Sequence, residues 1–88
     1  MMAKVEIYTT AFCPYCTRAK SLLKSKGVHF EEHDVMMCAS LRRKMSEMAG
    51  GATSVPQIFV DGQHIGDSDG IQQLDAQGKL DAALGIAN

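Results

Sequence analysis

The sequence predicts an α/β fold in the order βαβαββαα, with a four-stranded mixed sheet flanked by helices on both faces. Three observations predict it. A strand with alternating side chains leads into a helical repeat, a weaker strand follows that helix, and one tight hairpin lies in the second half of the chain. The 88 residues allow one domain, residues 1–88, with a single modest core.

The first part of the chain predicts a βαβ unit. Residues 4–9 alternate between two faces, one of which carries Glu6 and Tyr8. A helix over residues 14–26 follows, with a proline in its first turn and a glycine directly after its end. Residues 28–35 predict a weaker strand at the sheet edge, because three of them are acidic. The two strands should pair in parallel through a right-handed crossover.

The second helix is predicted from apolar residues that recur at helical spacing. It should begin at Cys38 or Ser40 and end at Ala49, where two consecutive glycines close it. Its polar face carries three consecutive basic residues, the first of which is Arg42. From these residues alone, the basic triplet indicates a solvated helix face.

The clearest turn signal is the Asp61-Gly62 dipeptide, which suits a tight hairpin turn. It separates residues 57–60 from residues 63–65, and these two strands should pair antiparallel in the same sheet. Ser68 should then cap a short helix, and a last helix should follow Gly78. These helices complete the cover of the sheet.

Composition excludes several function classes. The net charge of -1 gives no general attraction to nucleic acid or to an anionic membrane, so we expect neither as a partner. No apolar run approaches the ~20 residues that span a bilayer, and residues 1–7 lack the apolar stretch of a secretory signal. We therefore expect a cytoplasmic protein, in which a Cys-x-x-Cys pair is more often catalytic or metal-binding than structural.

Cys13 and Cys16 lie three positions apart at the start of the first predicted helix. At this spacing they can cycle between dithiol and disulfide without a large backbone movement. Helix N-terminal amides stabilise a thiolate, so Cys13 is the candidate nucleophile. Cys16 lies one turn deeper and should be more buried and more protonated, as suits a resolving thiol. Tyr15 should place an exposed ring beside the sulfur.

A zinc site is the main alternative use of the pair. Structural zinc needs four ligands, and only Cys38 and the histidines His29, His33 and His64 remain, in no second paired spacing. We therefore predict no metal. We expect Cys38 to be a plain, partly buried thiol and the histidines to lie on strand surfaces.

Three motifs in this order resemble those of the bacterial dithiol glutaredoxins. They are the Cys-Pro-Tyr-Cys of residues 13–16, the Ser-Val-Pro-Gln-Ile-Phe-Val of residues 54–60, and the Gly-Asp-Ser-Asp of residues 66–69. The resemblance covers residues 4–84. It implies a thioredoxin-like fold with strands in the order 2-1-3-4 and glutathione bound beside the first cysteine.

The resemblance also implies which residues contact glutathione. The proline matching Pro56 is cis in the family and faces the cysteines, and the backbone matching Val55 pairs with the cysteinyl part of glutathione. From sequence alone, a trans bond before this proline is the default. Ser68 and Asp69 would hold the γ-glutamyl end. The other implied contacts are Tyr15 beside the sulfur, Ser54, and, at the glycyl carboxylate, Gln57 and Arg42.

The implied activity is glutathione-dependent reduction of protein–glutathione mixed disulfides and of protein disulfides, with Cys13 attacking and Cys16 resolving. Glutathione would be the co-substrate, and we expect no tightly bound cofactor. The implied partners are disulfide-containing or glutathionylated proteins, with ribonucleotide reductase as one candidate, and we expect a monomer. Two alternatives stay open: a redoxin recharged by thioredoxin reductase, and a non-catalytic metal or iron–sulfur module.

The chain departs from the family motifs at three positions. Many relatives have a lysine where this chain has Thr10, so Lys4 or Arg18 would have to supply the missing cation. Relatives also tend to have Gly and Asp where this chain has Asp67 and Gly70. We expect these departures to weaken the hold on the thiolate and on the γ-glutamyl end.

Overall fold

The computed structural model describes residues 3–86, and its elements follow the predicted order. The strands are β1 (Val5–Thr9), β2 (Phe30–Asp34), β3 (Gln57–Val60) and β4 (Gln63–Gly66). The helices are α1 (Pro14–Ser25), α2 (Ala39–Met48), α3 (Ser68–Ala76) and α4 (Leu80–Ala83). Within residues 3–86, no helix has the length and apolar content needed to cross a membrane.

The four strands form one mixed sheet in the order β2-β1-β3-β4, which confirms the predicted fold. β1 pairs with β2 in parallel, and β3 pairs antiparallel with both β1 and β4. The hairpin turn lies at Asp61 and Gly62, whose φ angles of 51° and 82° are both left-handed. Such a turn matches the twist of the two strands, which is why Asp-Gly predicted it.

The sheet is covered on both faces, and each face has its own core. The first core joins Val5 and Ile7 to side chains of α1, of α3 and of residues 80–84, among them Ala19, Leu23, Ile71, Leu80 and Leu84. The second core joins Tyr8 and Phe59 to Met45 of α2. Tyr8 shares a face with Glu6 yet is only 2% exposed, because β1 is a central strand and α2 packs over this part of it.

The termini of several elements differ from the predictions. α2 begins at Ala39, with Cys38 as its N-cap residue. Cys38 is exposed, so the prediction of a partly buried thiol is wrong: its sulfur lies at the surface, 3.4 Å from the Ser40 hydroxyl in the first turn of α2. The N-cap of α3 is Asp67, whose carboxylate accepts the Gly70 amide at 2.8 Å. Ser68, predicted as the cap, is instead the first residue of the helix.

The three histidines are placed differently along the strands. His29 is exposed and precedes β2, His33 is half-buried within β2, and His64 is exposed on β4. The ring nitrogens of His33 and His64 both contact other side chains, Glu6 and Gln57 respectively. The expectation of plain strand-surface residues is therefore too simple for these two.

Candidate active site

The cysteine pair lies where β1 ends and α1 begins. The loop between them passes through Phe12, whose φ of 58° is left-handed and whose side chain is 99% exposed. Cys13 is the N-cap residue of α1, and Pro14 opens the helix. Proline suits this place because a first-turn residue has no intrahelical acceptor for its amide. The Cys13 sulfur consequently lies at the positive end of a twelve-residue helix.

The Cys13 sulfur is held from two sides. It accepts a hydrogen bond from the main-chain amide of Cys16 at 3.2 Å. Its thiol also lies 4.0 Å from the carbonyl oxygen of Val55, in the loop before β3. The amide contact favours negative charge on this sulfur, which is what a nucleophilic or leaving thiolate needs.

Cys16 is in the opposite environment. It is only 2% exposed, and it packs under the helix start as its position one turn deeper predicts. Burial first, and the hydrogen bond with the Cys13 side chain second, raise the pKa of the Cys16 thiol from 9.0 to about 11. Both cysteines are free thiols. The pair therefore combines a partly exposed sulfur with a buried, protonated one.

A cavity of about 190 Å³ opens on the α3 side of the pair. Six of the predicted glutathione contacts line it: Tyr15, Ser54, Val55, Pro56, Ser68 and Asp69. Asp67 lines it as well. The Val55–Pro56 peptide bond is cis, as the resemblance implies and against the sequence default. These residues come from three separate segments of the chain, which only the folded sheet and helices place around one space.

The start of α3 forms one wall of this cavity. Ser68 is 3% exposed, and within the described part of the chain its hydroxyl has no hydrogen-bond partner. Asp69 lies beside it in the first turn and is exposed. The first amides of a helix lack intrahelical acceptors, so this wall offers N–H donors and a buried hydroxyl to an anion. The carboxylate of Asp69 offers the opposite charge to a cation.

Gln57 and Arg42 donate hydrogen bonds to the loop before β3, which forms one wall of the cavity. The Gln57 side chain is buried, and its amide donates to the Ser54 carbonyl at 3.0 Å. Its carbonyl oxygen lies 2.6 Å from the His64 ring nitrogen. Arg42 donates to the Thr53 carbonyl at 3.0 Å. Neither side chain lines the cavity.

A second cavity, of about 370 Å³, opens on the β2 side of the pair and contains a residue that sequence reasoning missed. Lys20 lines it together with both cysteines, and its ammonium pairs with Glu32 at 3.0 Å. The charge of Lys20 lowers the pKa of Cys16, opposing the larger effect of burial. Lys20 lies four residues after Cys16, one helical turn along the same face, and that spacing was the available signal.

The cations predicted to replace the missing lysine at Thr10 lie elsewhere. Lys4 pairs with Glu31 at 3.8 Å, at the start of the sheet. Arg18 borders a separate depression with Gln72. Neither side chain lines a cavity at the cysteines, because Arg18 lies on another face of α1 and Lys4 precedes β1, at the end of the strand opposite the cysteines. Lys20 supplies the nearby positive charge instead.

A thioredoxin-like sheet that carries a Cys-x-x-Cys pair at the start of its first helix defines the dithiol redoxins as a class. The Glutaredoxin family model matches residues 5–65, and the chain is 54% identical over 83 residues to Glutaredoxin 3 of Escherichia coli (strain K12), covering 94% of this chain and 99% of that protein. The chain belongs to the glutaredoxin family, whose members are glutathione-dependent oxidoreductases.

Solved structures support the same assignment. The solution structure of glutaredoxin from Brucella melitensis is similar with a TM-score of 0.83 and 43% identity, covering 99% of this chain and 96% of that one. A buckwheat glutaredoxin–glutathione complex has a TM-score of 0.84 at 24% identity, covering 97% and 83% of the two chains. At that identity the buckwheat protein shows the shared fold.

Proposed function

We propose that this chain reduces protein–glutathione mixed disulfides through Cys13 alone, and protein disulfides through Cys13 followed by Cys16. The proposal depends on the difference between the two sulfurs, together with the cavity beside them. The partly exposed Cys13 sulfur is bonded to an amide, the Cys16 thiol is buried and protonated, and a cavity of predicted glutathione contacts opens beside them. An inert or purely structural pair has no need of this asymmetry.

On a mixed disulfide, the Cys13 thiolate attacks the glutathione sulfur. A new disulfide forms between Cys13 and glutathione, the original bond breaks, and the substrate protein leaves as a thiolate that takes a proton from solvent. A second glutathione thiolate then attacks the glutathione sulfur on Cys13. Glutathione disulfide leaves and Cys13 returns as a thiolate, which the Cys16 amide stabilises.

On a protein disulfide, Cys13 attacks one substrate sulfur and forms a mixed disulfide with the protein. The substrate disulfide breaks, and its other sulfur leaves as the first substrate thiolate, which takes a proton from solvent. Cys16 then loses its proton and attacks the Cys13 sulfur, which releases the second substrate thiolate and leaves a Cys13–Cys16 disulfide. Two glutathione molecules reduce that bond and leave as glutathione disulfide. The positive charge of Lys20 supports the deprotonation of Cys16 during this step.

The cavity on the α3 side supports a specific pose for glutathione. Its cysteinyl part would pair with the backbone of Val55, close to the Cys13 sulfur. Its γ-glutamyl carboxylate would meet Ser68 and the free amides of α3, and its ammonium would meet Asp69. The glycyl carboxylate would recruit Arg42 and Gln57. The buckwheat protein of the same fold has been solved with glutathione.

The compartment and the partners follow from this chemistry. Recharging by glutathione requires a pool of reduced glutathione, so we place the reaction in the cytoplasm. No tightly bound cofactor takes part. The substrates would be glutathionylated or disulfide-containing proteins, with ribonucleotide reductase as a candidate, and the protein would act as a monomer.

The test is an assay of glutathione-dependent reduction on two substrates, a glutathionylated peptide and a protein disulfide. Cys13→Ser should abolish both activities, whereas Cys16→Ser should keep the first and lose the second. Cys38→Ser is the matched control and should keep both, since Cys38 is an exposed thiol outside the pair. Equal losses in Cys13→Ser and Cys16→Ser, or turnover with thioredoxin reductase and not with glutathione, would overturn the proposal.

A further inference from the structure

A second group of chemically reactive side chains lies on the sheet away from the cysteines. Glu6 on β1 is in register with Glu31 on β2, and His33 follows Glu31 on the same face of β2. The His33 Nε2 atom lies 2.8 Å from a Glu6 carboxylate oxygen and 4.0 Å from a Glu31 carboxylate oxygen. All three donor atoms lie within 4.8 Å of one another.

We propose that Glu6, Glu31 and His33 bind a divalent transition-metal ion, with Zn²⁺ as the probe. One imidazole nitrogen and two carboxylate oxygens are a donor set that suits Zn²⁺. Two ligands that are each about 2 Å from a metal ion lie about 3 to 4 Å apart. The distances from His33 Nε2 to the two carboxylates, 2.8 and 4.0 Å, bracket that range. The two carboxylate oxygens lie within 4.8 Å of each other, so binding an ion requires the glutamate side chains to adjust.

The surrounding charge favours a cation. Two carboxylates face one ring nitrogen, and a hydrogen bond from the ring satisfies only that of Glu6. Lys4 approaches Glu31 at 3.8 Å, but both side chains are about 60% exposed, so this pair contributes little and can open. A divalent ion would neutralise both carboxylates at once. It would replace the proton on Nε2, which moves to Nδ1 or to solvent.

The ligands are also held in place before binding. The Glu6 side chain is 16% exposed and that of His33 is 29% exposed, so both have lost much of their freedom. The Tyr8 ring packs against the His33 ring with centroids 4.9 Å apart, which fixes the plane of the imidazole. Glu31 is 60% exposed and leaves a path from solvent. A site on two paired strands therefore costs little ordering.

The experiment must separate this site from the thiols, which bind zinc themselves. We would block Cys13 and Cys38 by alkylation and then titrate Zn²⁺ by calorimetry near neutral pH. One ion should bind per chain, and histidine NMR signals should identify the ring of His33. His33→Gln and Glu6→Gln should each weaken binding about tenfold or more.

Matched controls lie next to the ligands. His29→Gln removes an exposed histidine that precedes β2, and Glu32→Gln removes a carboxylate that points to the other side of β2, towards Lys20. Both should leave Zn²⁺ binding unchanged. If Glu6→Gln does not fold, Glu31→Gln replaces it, because Glu31 is exposed and its substitution should keep the fold. Zn²⁺ binding should be weaker in this variant. Absence of binding, or equal binding in the ligand variants and the controls, would overturn the proposal.

Discussion

The main-chain amide of Cys16 donates a hydrogen bond to the Cys13 sulfur at 3.2 Å, while the Cys16 thiol itself is 2% exposed. Cys16 thus donates its amide to the Cys13 sulfur, while burial keeps its own sulfur protonated. The helix start makes both possible, since a free first-turn amide points at the N-cap side chain. The thiol chemistry of the pair can therefore be tested apart from any substrate.

Alkylation should distinguish the three thiols. Iodoacetamide at neutral pH should modify Cys13 and Cys38 first and spare Cys16, whose burial and raised pKa of about 11 leave almost no accessible thiolate. Cys38 should react readily, because it is exposed and its contact with the Ser40 hydroxyl lowers its pKa. Mass spectrometry of the peptides gives the order. In urea, where the fold is lost, all three thiols should react alike. If Cys16 of the folded protein reacts as fast as Cys13, the predicted protection of Cys16 is wrong.

The stability of the fold should decrease at alkaline pH through Cys16. Its pKa is about 11 in the folded protein and 9.0 as a free side chain, so its contribution is complete below pH 9 and is lost as the pH rises towards 11. The difference of about two between these pKa values corresponds to a loss of about 3 kcal/mol in the free energy of unfolding. Urea unfolding of the reduced protein across this range should show a steeper decrease for the unmodified protein than for Cys16→Ala. Cys38→Ala should keep the steep decrease, and an equal slope in all three proteins would refute the role of Cys16.

Ser68 should matter for the ligand and not for the fold. Its buried hydroxyl has no partner among the described residues, so Ser68→Ala should leave the free energy of unfolding unchanged or slightly higher. The KM for a glutathionylated peptide should rise about tenfold, because a hydrogen bond to a carboxylate is lost. Asp67→Ala is the contrasting variant: it removes the N-cap of α3 and should cost about 1 kcal/mol of stability. Unchanged kinetics in Ser68→Ala would remove this residue from the site.

His64 should support the glutathione cavity at a distance. Its ring nitrogen lies 2.6 Å from the Gln57 carbonyl oxygen, and the Gln57 amide holds Ser54. His64→Phe should keep the packing against Phe59, whose ring centroid is 5.2 Å away, but leave the buried Gln57 oxygen without this partner. We expect the free energy of unfolding to fall by about 1–2 kcal/mol and the KM for a glutathionylated peptide to rise. His29→Phe, at an exposed position, should change neither quantity. If His64→Phe also leaves both unchanged, the contact between His64 and Gln57 does not support the loop that carries Ser54.

The prediction of the fold depended on local signals that the structure retains. Asp61-Gly62 allows two left-handed residues in succession, and Pro14 starts a helix, so each determines the backbone where it stands. Cys13 and Cys16 could be predicted for the same reason, because their relation is set by one turn of one helix. The cis bond at Pro56 could be expected only from family resemblance, since a trans bond is the default.

The partly wrong predictions concern residues whose roles depend on distant partners. Cys38 was expected to be partly buried and is exposed, because nothing in its local sequence says what packs over the start of α2. The cation was sought at Lys4 or Arg18, whereas Lys20 faces the cysteines beside Glu32 of the next strand. The side chain of Gln57 contacts His64 because β3 pairs with β4. The hairpin turn alone does not determine the register of that pairing away from the turn.

The sequence by itself determined the order of elements, the redox pair and the family, because these depend on neighbours within a few positions or on motifs in a fixed order. Only the tertiary structure decided which side chains share a cavity, how deeply Cys16 is buried, and that Glu6, Glu31 and His33 meet across two strands. Burial and long-range contact are properties of packing. They arise when segments far apart in the chain exclude water together, and no single segment carries that information.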